Sequence, residues 1–116
     1  MHTIFRLELP DGRGVYMYRY HLGYGHALED HNNHPYWPAP EKDDMGTSAW
    51  SDMHFGFTSL EQMRNWFCGA ERLYLSTFGI MLSCYSARGP IVAGRKQVAF
   101  YRQAAERLWQ RPLNCF

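Results

Sequence analysis

Four histidines, His21, His26, His31 and His34, fall in one stretch with Glu29 and Asp30. Imidazole and carboxylate are groups that zinc and other transition metals accept. The spacing fits no metal motif with a known mechanism, and there is no HExxH, so no metal is assigned. The cysteines Cys68, Cys84 and Cys115 are odd in number and lack CxxC spacing, which excludes a zinc ribbon. A Cys-His nucleophile needs an exposed, activated thiol. Cys84 instead shares the inward side of an apolar run with Ile80 and Leu82, as structural thiols do. Asp11-Gly12-Arg13-Gly14 has turn chemistry rather than the spacing of a phosphate-cradling loop.

A different chemistry is carried by His34-Pro35-Tyr36-Trp37-Pro38-Ala39-Pro40, followed by Asp43, Asp44 and Trp50. Prolines stiffen a loop and lower the entropy lost on binding, and aromatic rings are the usual anchors of an interface. Acids beside them can imitate nucleic-acid phosphates towards a basic groove. Tyr36, Trp37, Asp43, Asp44 and Trp50 are therefore the candidate partner-binding surface. Charge supports a divided molecule. Between positions 29 and 52 there are six acids and one base, a balance of −5, and from position 85 to the end six bases and one acid, +5. Arg95, Lys96, Arg102, Arg107 and Arg111, with Tyr101 and Trp109 interleaved, could track a nucleic-acid backbone. The formal net charge of +1 argues against a dedicated nucleic-acid binder.

These groups have to be positioned by a chain of 116 residues, a length suited to one domain spanning 1–116. The apolar fraction of 46% is enough for a core without staples. Phe5, Leu7 and Leu9 alternate with Ile4, Arg6 and Glu8, which reads as a strand over residues 3–9. After the turn at 10–14, residues 15–20 read as its hairpin partner. The proline-rich stretch from 21 to 51 reads as a long loop. A short strand is expected at 53–57. A helix follows, signalled by Thr58 with Glu61 or by Ser59 with Gln62, and striped by Leu60, Met63 and Phe67. A second helix is expected at 70–77, strands at 80–86, 91–93 and 97–101, and a last helix at 103–110. The expected fold is α+β: a mostly antiparallel sheet of about five to six strands packed on two or three helices. The sequence shows no apolar run of membrane-spanning length, no leader and no disulfide spacing, so a cytoplasmic, reduced setting is expected.

Two resemblances add to this. Arg6 on the first strand, Phe55-Gly56-Phe57-Thr58-Ser59 at a strand-to-helix junction, and Gln97-Val98-Ala99-Phe100 on the last predicted strand resemble the arginine, Ser-Thr-Ser and glutamate layout of ADP-ribosyltransferases. The resemblance implies that Arg6 holds a phosphate of NAD, that Thr58 or Ser59 holds the ribose, and that Gln97 stands at the glutamate position. Gln97 departs from the pattern, because a neutral carboxamide is neither a general base nor a counter-charge for an oxocarbenium ion. The second resemblance covers most of the chain. Ile4-Phe5-Arg6-Leu7-Glu8, the His34-Pro35 loop with its acids, the segment from Phe55 through Gln62, and Gln97-Val98-Ala99-Phe100 resemble small accessory proteins of tailed phages and prophages. That resemblance implies a binding module that inhibits a host or defence protein, as anti-CRISPR proteins do, with no cofactor. The ADP-ribosyltransferase-like alternative implies NAD or a related nucleotide.

Overall fold

The computed structural model describes residues 1–15 and 53–116. Within them lie β1 (His2–Glu8), β2 (Met53–Gly56), α1 (Leu60–Trp66), α2 (Gly69–Ser76), β3 (Met81–Ala87), β4 (Ile91–Ala93), β5 (Val98–Tyr101) and β6 (Ala105–Pro112). Short 3-10 turns at Arg102–Ala104 and Leu113–Cys115 follow β5 and β6. The strands form two three-stranded antiparallel sheets, ordered β1-β3-β6 and β2-β5-β4. The expectation of one sheet of five to six strands on two or three helices is therefore corrected. Among the described residues the architecture is mostly β, with two short helices.

The alternation on β1 decides what each face meets. Leu7 turns to one side, where Leu82, Met63, Trp66, Phe67, Leu75 and Leu113 form the larger core, contributed by both helices and the chain end. Ile4 turns to the other, where Tyr85, Ala87, Val98 and Phe100 close a second core between the two sheets. Among the described residues the sheets meet at one antiparallel bridge. Phe5 N–H donates to Phe57 O and Phe57 N–H to Phe5 O, both at 2.7 Å. Gly56 makes this approach feasible. A Cβ at that position would lie 2.6 Å from Phe5 O and 2.7 Å from Ile4 Cγ2, inside contact distance.

The second correction concerns the chain end. The stretch expected as a helix at 103–110 is β6, paired along β3 from Met81↔Pro112 to Ala87↔Ala105. Its alanines, glutamate and leucine are good helix formers, but β3 offers a row of backbone donors and acceptors that only a strand can satisfy. Tertiary pairing overrides a weak local preference. Pro112 is tolerated because it sits at the end of an edge strand. The expected partner strand at 15–20 and the loop at 21–51 lie outside the described residues, apart from Val15.

Helix α1 uses the later of the two capping patterns. Ser59 Oγ accepts from Gln62 N–H at 3.0 Å, and Gln62 Oε1 accepts from Thr58 N–H at 2.8 Å. Ser59→Ala leaves one of the first-turn amides without its partner. It is expected to lower stability by about 1 kcal/mol in urea unfolding, whereas Glu61→Ala is expected to have less effect.

Candidate functional site

Glu8 is fully buried, with 0% of its surface exposed. A buried carboxylate has to be paired and hydrogen-bonded, and the sheet supplies both. Arg6 lies two residues earlier on the same face of β1 and donates Nε–H to Glu8 Oε1 at 3.0 Å. From β3, the hydroxyl of Ser83 donates to Oε2 at 2.8 Å, and Tyr85 donates its hydroxyl to the same oxygen. From β6, Gln110 Nε2 lies 2.9 Å from Ser83 Oγ, and Arg107 Nη1 lies 3.5 Å from Oε2.

A register irregularity makes the β6 contribution feasible. The pairing runs Cys84↔Trp109 and then Tyr85↔Arg107, so Leu108 is left over as a bulge and stands exposed. In an unbroken strand, positions 107 and 110 face opposite ways. The extra residue reverses the alternation and turns Arg107 and Gln110 to the same face.

The same packing shifts the titrating groups. Burial and the Glu8 carboxylate push the Tyr85 hydroxyl up to about 12. The folded protein therefore holds this proton more tightly than the unfolded chain, whose tyrosine titrates near 10. The stabilisation is complete below pH 10 and is lost as pH rises towards 12. Tyr85→Phe is expected to flatten this part of the stability profile. Burial lowers the Arg6 guanidinium, although Glu8 opposes the shift. His54 lies below the ordinary imidazole value because it is partly buried and faces Arg6 and Arg102. Burial raises the Cys84 thiol, which keeps it protonated and unreactive.

Beside this network lies a cleft of about 470 Å³ between the turn after β1 and strand β2. Leu7, Phe55, Phe57, Trp66 and Phe67 give it apolar and aromatic walls. Its polar groups include Arg6, Arg13, His54 and Gln97. Arg13 is braced by Asp11, with Nε 2.7 Å from Oδ2. Arg6 Nη1 donates to Phe55 O at 2.8 Å, which ties the guanidinium to the cleft wall.

The residues singled out in the sequence divide accordingly. Arg6 and Gln97 are both buried and line the same cleft. Thr58 and Ser59 do not line it, since they form the cap of α1. Tyr36, Trp37, Asp43, Asp44 and Trp50, and the histidines from His21 to His34, lie outside the described residues. Among the described residues no cluster of metal-ligating side chains occurs. Three of the late basic residues make contacts within the fold: Arg102 stacks over the Tyr85 ring at 4.6 Å, Arg111 over Trp109 at 4.8 Å, and Arg107 donates to Pro10 O at 3.2 Å. Sequence reasoning passed over Glu8, Ser83, Tyr85 and Gln110. One usable signal was the opposite charge of Arg6 and Glu8 on one face of an otherwise apolar strand.

The chain is a member of the Bacteriophage T4 Y00F protein family, whose family model matches residues 1–114. Comparison with the curated proteins and with the solved structures gives no match. Among the described residues, no helix is long and apolar enough to cross a membrane.

Proposed function

We propose that this phage protein acts by binding a host or defence protein in the bacterial cytoplasm and inhibiting it. The observation that carries the reading is what becomes of the groups an NAD-using alternative requires. Arg6 is held by Glu8 and by Phe55 O, and Thr58 and Ser59 cap α1 away from the cleft that holds Gln97. A phosphate on Arg6 would have to compete with a buried carboxylate at 3.0 Å. The aromatic and acidic set Tyr36, Trp37, Asp43, Asp44 and Trp50 gives the partner its chemistry: a basic surface with room for planar anchors.

The test is affinity capture from phage-host lysate with the wild type and with a Tyr36→Ala, Trp37→Ala double variant. A host protein retained in stoichiometric amount by the wild type and lost by the folded variant is the expected result. Equal retention by both would remove these rings from the interface. Label from NAD appearing on a host protein would favour the transferase alternative.

A further inference from the structure

We infer that the cleft between the turn after β1 and strand β2 binds a small, uncharged planar ring bearing a carbonyl oxygen, of the uracil or guanine type, with Arg6 Nη2 as the donor. Nε is engaged by Glu8 and Nη1 by Phe55 O. Among the described residues Nη2 has no hydrogen-bond partner, and since no buried side-chain nitrogen there is left unsatisfied, it reaches solvent where the otherwise buried Arg6 side chain lines the cleft. An arginine nitrogen left in that state favours an acceptor.

The chain keeps the approach to it open. Gly14 lies directly beside Nη2, and a Cβ there would come within 2.7 Å of it. The absence of a side chain at position 14 is what leaves the donor uncovered. The cleft volume of about 470 Å³ is in the range of small-ligand sites, which combine apolar walls with a few fixed polar groups. Phe55, Phe57, Trp66 and Phe67 form walls suited to a flat ring. Charge selects a neutral oxygen. The Arg6 charge is already matched by Glu8 at 3.0 Å, so a second anion on the same guanidinium would meet that carboxylate in a poorly screened setting. A carbonyl oxygen brings no such repulsion. The donor and walls named here are distinct from Tyr36, Trp37, Asp43, Asp44 and Trp50, so the ligand and the protein-binding reading are tested separately.

The experiment is calorimetric and thermal-shift titration of the full chain with uridine, guanosine, adenosine and inorganic phosphate. Uridine or guanosine is expected to bind and raise the midpoint by mass action. Adenosine, which has no ring carbonyl, is expected to bind at least tenfold more weakly. Gly14→Ala, whose added Cβ would meet Nη2 at 2.7 Å, is expected to weaken uridine or guanosine at least tenfold. The ligand comparison decides the matter if that variant does not fold. The inference is overturned if neither carbonyl-bearing nucleoside binds, if adenosine binds equally well, if phosphate alone gives the same shift, or if a folded Gly14→Ala protein binds as the wild type does.

Discussion

Replacing Glu8 by alanine is expected to destabilise the protein by about 3–5 kcal/mol, the range for breaking a buried pair and leaving its partner charged. Arg6 is buried, its pairing to Glu8 is direct, and Ser83 and Tyr85 donate to the same carboxylate. The substitution thus strands a cation and two hydroxyls together. Urea unfolding of the variant against the wild type measures the loss. A double-mutant cycle with Arg6→Leu separates the pair from its surroundings. The loss in the double variant is expected to be well below the sum of the single losses, because the stranded charge is then absent. A Glu8→Ala loss under about 1 kcal/mol would mean that Arg6 rehydrates through the cleft at no great cost, and that the network adds little to the backbone ladders joining β1, β3 and β6.

Gly56→Ala is the second substitution with a large expected effect. The added Cβ meets Phe5 O at 2.6 Å and Ile4 Cγ2 at 2.7 Å, and the first of these is backbone. A backbone oxygen cannot swing aside as a side-chain tip can. The paired hydrogen bonds between Phe5 and Phe57, both 2.7 Å, hold the same place from the next residue. Relief therefore requires the two sheets to part at the backbone bridge that joins them among the described residues. A loss of about 3 kcal/mol is expected, at the upper end of ordinary overpacking. Amide exchange at Phe5 and Phe57 should accelerate more than at the centre of β3. A variant as stable as the wild type, with exchange unchanged, would contradict this account of the junction.

Several elements were legible because their signals are local. The alternation over Ile4 to Leu9 marks β1, and the Ser/Thr and Glu/Gln spacing marks the start of α1 within one residue. The short apolar runs at Ile91 and Val98 mark β4 and β5. What was illegible depends on distant partners. Residues 104–108 favour helix by composition, yet the unpaired edge of β3 draws them into β6. Nothing near Phe55 reveals that Gly56 lets one sheet end against another, since the alternation reads the same in one sheet or two. The site follows the same division. Arg6 and Glu8 were visible as neighbours on one strand face. Ser83, Tyr85, Arg107 and Gln110 reach Glu8 only through register, and the Leu108 bulge reverses the very alternation that would have been used to place them.

The claim that this phage protein works by binding a protein through Tyr36 and Trp37 is tested most directly by calorimetric titration of the purified captured host protein into the wild type and into the Tyr36→Ala, Trp37→Ala variant. Saturable binding by the wild type is expected, with a loss of affinity of roughly thirtyfold or more in the variant, as for the removal of a central aromatic anchor. Undiminished affinity in a folded variant would contradict it.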